Sequence, residues 1–146
     1  MISVTLPCFN AQDSLVACLE SLLTQTFENF EVVAVNDGST DATLDVLRHF
    51  SARDDRIRVF DRPHGGVVRA MNFAVEQSRG EYVARMDSDD ICLPERLALQ
   101  KDHLDRHPHV GLVGGLVRFG GDCESAKGYQ AYVDWTNTLV TEEEIS

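Results

Sequence analysis

Three carboxylates, Asp87, Asp89 and Asp90, stand within the run Arg85-Met86-Asp87-Ser88-Asp89-Asp90. The apolar Tyr82-Val83-Ala84 leads into it and Ile91-Cys92-Leu93-Pro94-Glu95 follows, so the acids sit where a strand ends and a helix is about to begin. Like charges this close repel unless something positive offsets them. A hard divalent cation is one natural partner, since such ions take oxygen ligands. Asp and Ser also favour turns and helix N-caps, so the hexapeptide alone reads equally well as a solvated turn.

Other polar groups recur at the ends of the apolar runs. Pro7-Cys8-Phe9-Asn10 follows the first, Asn36-Asp37-Gly38-Ser39 the second, and Asp61-Arg62-Pro63-His64-Gly65-Gly66 the third. In an open α/β sheet, ligands bind beyond the carboxyl ends of the strands, so these loops and the acidic run are expected to line one crevice. It would hold an aromatic ring (Phe9), a lone acid (Asp37), the acidic cluster, and cations at Arg62, His64 and Arg69. Each piece has an ordinary alternative: Phe9 as a core residue, Asp37-Gly38-Ser39 as a turn and cap, and the three cations as a solvated face.

The elements that would position these residues follow from periodicity. Ile2 to Leu6 reads as a strand closed by Pro7. Leu15, Cys18, Leu19, Leu22 and Leu23 form one apolar helical stripe, which Asn10 or Asp13 could cap. Phe30 to Val35 is almost wholly apolar, as in a strand buried on both faces of a parallel sheet. Leu44, Leu47 and Phe50 mark a second helix, with Ser39 or Thr40 as its cap and Asp41 at its positive end. Ile57 to Phe60 is a third strand. Val67, Ala70, Met71, Ala74 and Val75 form a third helix, with Gly80 supplying the turn after it. Tyr82 to Met86 is a fourth strand, and Pro94 opens a helix that runs to about His107. Val110 to Val117 is expected as a fifth strand. Tyr129, Tyr132 and Trp135 share a helical spacing, and Thr141 with Glu142, Glu143 and Glu144 resembles another helix start. This alternation predicts an α/β fold: a doubly wound, mostly parallel sheet with helices on both faces.

Composition narrows the function. The 146 residues suit one domain, and a net charge of −11 disfavours binding to nucleic-acid backbone. Cys8, Cys18, Cys92 and Cys123 form no CxxC pair, as in a reducing compartment. No signal peptide is expected, and no apolar run reaches the roughly 20 residues of a membrane span. The first strand-to-helix loop has no GxGxxG, and no GxxxxGK[ST] occurs, so a phosphate-bearing ligand would lack a backbone-amide cradle. Asp87 and Asp89 would then have to recruit positive charge through a metal.

Several ordered blocks together resemble the nucleotide-sugar-binding half of the large inverting glycosyltransferase family of GT-A fold, often called family 2. They are Ser3-Val4-Thr5-Leu6-Pro7-Cys8-Phe9-Asn10, Leu22-Leu23-Thr24-Gln25-Thr26, Val35-Asn36-Asp37-Gly38-Ser39-Thr40-Asp41, Gly65-Gly66-Val67, Ala70-Met71-Asn72, Arg79-Gly80-Glu81-Tyr82 and Met86-Asp87-Ser88-Asp89-Asp90. The likeness covers about residues 2–119, with Asn36 where the family usually has an acid. It implies transfer of a sugar from a nucleotide diphosphate, UDP above others, to an acceptor hydroxyl with inversion. Asp37 would accept from N3–H of uracil, Phe9 would stack near the base, Asp87 would lie by the ribose, and Asp89 would bridge Mn²⁺ or Mg²⁺ to the diphosphate. The expected nucleotide site is Pro7, Phe9, Asn10, Asp37, Gly66, Arg69, Asp87 and Ser88, with Asp89 and Asp87 for the cation.

The resemblance further implies a donor domain over 1–120 and the incomplete start of an acceptor-side region over 121–146. The general base is expected beyond Ser146, in a part that this C-terminally truncated chain lacks, so the chain itself would be weakly active or inactive. Self-association through the C-terminal aromatics is expected. So is a cytoplasmic location, or the inner face of a membrane for the full-length protein. The acceptor, whether carbohydrate, lipid-linked or protein, is left open. Two alternatives stand beside this reading: a non-catalytic nucleotide- or partner-binding module, and a nucleotidyltransferase, although Pro7-Cys8-Phe9-Asn10 is not the Gly-rich basic loop the latter needs.

Overall fold

A computed structural model describes residues 1–120 and 127–138. Its elements run β1 (Ile2–Cys8), α1 (Leu15–Leu23), β2 (Phe30–Asp37), α2 (Thr43–Ser51), β3 (Ile57–Arg62), α3 (Val67–Gln77), β4 (Tyr82–Arg85), α4 (Arg96–Arg106) and α5 (Lys127–Thr136). The chain divides into two compact units, Met1–His109 and Val110–Ser146.

In the first unit all four strands are parallel, in the order β3-β2-β1-β4. The connections from β1 to β2 and from β2 to β3 step in one direction, and the next returns across the sheet to β4. Crossovers of one hand but opposite direction place their helices on opposite faces. Accordingly, Val4, Leu6, Val32 and Ala34 pack with α1 (Leu15, Cys18, Leu19, Leu22), α2 (Leu47, Phe50) and Leu97 of α4. Val33 and Val35 pack on the other side against Ala70 and Ala74 of α3. β2 is buried along its whole length, which explains the apolar run from Val32 to Val35 within it. Truncating a residue such as Leu6 to Ala would cost about 2–5 kcal/mol.

Buried polar groups on the α3 face are satisfied. The Ser3 hydroxyl donates to Glu31 Oε1 at 2.7 Å, Arg79 N–H donates to the same oxygen at 2.7 Å, and Arg58 Nη1 donates to Oε2 at 2.8 Å. This network ties the α3–β4 connection to β1 and β2. Gly80 belongs to it for steric reasons, because a Cβ there would lie 2.6 Å from the Ser3 nitrogen. Close approach therefore accounts for this glycine better than the turn expected of it.

Three local expectations are corrected. Val110 to Val117 is irregular and forms no strand; Leu112 is 87% exposed and Leu116 73%. Gly111 and Gly114 interrupt the run with positions that bring no side chain to pack. The N-cap of α1 is Ser14, whose side chain makes no capping bond to the helix, not Asn10 or Asp13. Asn10 instead takes a left-handed conformation (φ 48°), and its Oδ1 accepts the Thr40 N–H at 2.8 Å. For α2, neither Ser39 nor Thr40 is the cap; Asp41 accepts the Thr43 N–H at 2.9 Å.

In the second unit, α5 confirms the helical spacing, with the Tyr132 and Trp135 ring centroids 5.9 Å apart. The Tyr129 side chain, Cys123 and the expected helix start at Thr141–Glu144 lie outside the described residues.

Candidate functional site

The direction of winding reverses between β1 and β4, and a cleft of about 300 Å³ opens beyond the carboxyl ends of the strands there. Pro7, Cys8 and Phe9 of β1 and its exit line it, with Asp37 at the end of β2, His64 before α3, and Val67 and Ala70 on α3. Arg85, Asp87, Ser88 and Asp89 complete it. Of the expected nucleotide and metal residues, Pro7, Phe9, Asp37, Asp87, Ser88 and Asp89 come together here. Asn10, Gly66 and Arg69 do not line the cleft: Asn10 braces the loop before α2, Gly66 is the N-cap of α3, and Arg69 lies against Gly65. A second depression, of about 410 Å³, lies at the amino ends of β2 and β3 among Leu23, Gln25, Glu28 and Arg56, away from these groups.

Asp37 is 4% exposed and already bonded. Its Oδ1 accepts the Gly65 N–H and its Oδ2 the Gly66 N–H, each at 2.8 Å. His64 Nδ1 lies 3.0 Å from Oδ2 and 3.0 Å from the Asp37 carbonyl oxygen. The amino end of a helix attracts anions, and here the chain's own carboxylate occupies the amino end of α3. The Gly-Gly loop is therefore held in place. Gly66 has φ 88°, which favours glycine, and a Cβ on Gly38 would collide with His64 N at 2.5 Å.

Phe9 is 48% exposed, so it is not a core residue. Its ring lies 4.2 Å from that of His64 with the planes 31° apart, and it offers an aromatic surface at the cleft. Arg62, expected in the crevice, instead lays its guanidinium 4.0 Å over the Phe73 ring on α3, a cation–π contact.

The acidic turn is held from behind by α1. The Ser14 hydroxyl donates to the Ser88 carbonyl at 3.0 Å, and the Cys92 N–H donates to Ser21 Oγ at 3.1 Å. Gln25 Nε2 donates to the Leu93 carbonyl at 2.7 Å, and its Oε1 accepts the Leu97 N–H at 3.0 Å. Periodicity could not reveal these polar props, because Ser14 precedes α1, Ser21 lies among its apolar residues and Gln25 follows its end.

Part of the charge in the turn is offset within the chain. Arg85 Nε and Nη2 each reach the Asp87 carboxylate at 3.1 Å. Arg96 Nη2 donates to the Arg85 carbonyl at 2.8 Å. Burial, then the charges of Asp89 and Asp87, push the Asp90 carboxyl above its ordinary range, while Arg96 and Arg85 oppose the rise. Asp89 is exposed at the cleft. Burial first, then Cys18, pushes the Cys8 thiol far up, so this buried sulfur is protonated and a poor nucleophile.

Among the described residues, no group of three or more His, Cys, Asp or Glu side chains could hold a metal ion. Asp87 and Asp89 make an incomplete oxygen set. It fits the kind of site in which one or two carboxylates hold the cation and substrate phosphates supply further ligands. No helix among the described residues is long and apolar enough to cross a membrane.

Comparison with known proteins identifies the fold and the family. Chondroitin synthase of Pasteurella multocida is 36% identical over 99 residues, covering 68% of this chain and 10% of that protein. The structure of S. aureus TarS 1-349 in complex with UDP-GlcNAc matches with a TM-score of 0.68 and 29% identity, over 81% of this chain and 38% of that one. The mannosyltransferase PcManGT from Pyrobaculum calidifontis, in complex with GDP-Man and Mn²⁺, matches with a TM-score of 0.61 and 25% identity, over 67% of this chain and 30% of that one. The chain thus spans a tenth to somewhat over a third of the length of these relatives. A family model described as Glycosyl transferase family 2 matches residues 3–144, a longer stretch than the sequence blocks cover. The fold is that of the GT-A glycosyltransferases, and the chain belongs to glycosyl transferase family 2.

Proposed function

We propose that the cleft binds the nucleotide diphosphate of a sugar donor, UDP above other bases, with a divalent cation, Mn²⁺ or Mg²⁺, on Asp89 and Asp87. The whole protein would transfer the sugar to an acceptor hydroxyl with inversion. The observation that carries this reading is the pairing, in one cleft, of an exposed aromatic ring at Phe9 with an exposed carboxylate at Asp89. The ring suits a planar base, and the acidic turn suits a metal-bridged diphosphate. The solved relatives bound to UDP-GlcNAc and to GDP-Man with Mn²⁺ support the same ligand class.

Phe9 offers its face to the base. Asp37 holds the Gly65-Gly66 loop that borders the base site, and its carboxylate, with about four acceptor sites in all, also accepts from the base N–H. Ser88 and Asp87 lie where the ribose and the first phosphate would pass. When bound, the cation neutralises charge on the departing diphosphate. Transfer further requires a base that activates the acceptor hydroxyl.

The test is release of nucleoside diphosphate from UDP-sugars incubated with this chain and Mn²⁺. Slow, metal-dependent release supports the proposal. If there is no release, and no UDP-sugar protects the chain against heating, the cleft is not a donor site.

A further inference from the structure

Resting on the donor-site reading, we propose that Arg85 is a diphosphate-contacting residue. Its guanidinium leaves Asp87 for the phosphate oxygens when a nucleoside diphosphate enters the cleft.

The position follows from strand geometry. In β4, Tyr82 and Ala84 pack against the core shared with α1. Alternation sends Val83 and Arg85 to the opposite face, that of α3. β4 is an edge strand, and Arg85 at its end lines the cleft.

The other sources of positive charge are committed elsewhere. The Gly65 and Gly66 amides serve Asp37. Arg62 lies on Phe73, and Arg96 bonds to the Arg85 carbonyl and to Met86 Sδ. Arg69 does not line the cleft, and His64 Nδ1 faces Asp37. Among the described residues, Arg85 is therefore the one Lys or Arg side chain lining the cleft.

Its present partnership is easily exchanged. The Arg85 side chain is 67% exposed, and its contacts of 3.1 Å to Asp87 are longer than the 2.7–2.9 Å typical of charge-assisted bonds. Such exposed pairs contribute little stability. A guanidinium fork fits two phosphate oxygens as well as it fits a carboxylate. The exchange would also free Asp87, so diphosphate binding and cation binding would reinforce each other.

The experiment titrates uridine and UDP into the wild type, Arg85→Gln and Arg85→Lys, in EDTA and in Mn²⁺. The wild type is expected to prefer UDP over uridine in EDTA. Arg85→Gln should weaken UDP about tenfold, the order of one charge-assisted contact, while uridine affinity stays the same. Arg85→Lys should recover part of the loss. Equal affinity of Arg85→Gln and the wild type for UDP, in a protein that binds both ligands, would overturn the Arg85 assignment alone. Failure of the wild type to bind either ligand in either buffer would overturn the donor-site reading and this proposal with it.

Discussion

The carboxylate of Asp37 accepts the main-chain N–H of Gly66 at 2.8 Å, which makes the last residue of β2 the anchor of the amino end of α3. The bond to Gly65 from the other oxygen doubles the hold. An acid that a sequence reading assigns to a base thus also builds the wall beside which the base would lie. Asp37→Ala is expected to remove an acceptor from both amides and cost about 2 kcal/mol. For a chain of this size the melting temperature should fall by about 4–8 °C. Asp37→Asn, which keeps one acceptor, should recover part of the loss. Thermal melts of the three proteins check this, and a wild-type melt for Asp37→Ala would contradict it.

Phe9 makes its ring contact with His64 at the surface and adds little to the core. Phe9→Ala should therefore leave the melting temperature within about 2 °C of the wild type, as surface changes usually do. The same change should weaken UDP by roughly tenfold, since stacking on an aromatic ring is worth about 1–3 kcal/mol per base. Calorimetric titration beside a melt separates the two effects. A large loss of stability with unchanged affinity would make Phe9 a packing residue.

Acid should loosen the junction between α3 and β4. Glu31 is 6% exposed. Burial alone would raise its carboxyl, but the hydrogen bonds from Ser3, Arg58 and Arg79 and the Arg58 charge outweigh burial and hold it below its ordinary value. A carboxyl depressed in the folded state stabilises the fold above its unfolded value. That contribution fades as pH falls through the folded value. The loss should therefore begin below about pH 4.3, the usual glutamate value. Glu31→Gln should melt lower than the wild type at pH 7, and the gap should close toward pH 3. Melts across that range check the sign, and a gap that widened in acid would contradict it.

What the sequence made legible follows from what repeats. The first four strands and helices α1 to α4 were readable because their apolar residues recur at strand or helix spacing, and the loops fell at one end because parallel strands all point one way. Side-chain direction was not readable. Arg62, the last residue of β3, stands two residues before His64 yet turns onto Phe73. The counter-charge that the acidic turn demands comes partly from Arg85, two residues before Asp87. Val110 to Val117 had the composition of a strand, but glycines at 111 and 114 weaken it, and strand formation depends on a neighbour that composition does not disclose.

Titration of UDP into the wild type and Asp89→Ala, with Mn²⁺ and with EDTA, tests the donor-site reading most directly. Asp89 is exposed and lies outside the core, so its loss should leave the fold intact. Relief of its repulsion with Asp90 could even stabilise the chain slightly. The wild type should bind UDP more tightly in Mn²⁺ than in EDTA, and at ligand about 100 times Kd it should gain roughly 2.7 kcal/mol of stability. Asp89→Ala should bind UDP equally in the two buffers, at the weaker EDTA affinity. Wild-type affinity and full Mn²⁺ dependence in Asp89→Ala would contradict the account.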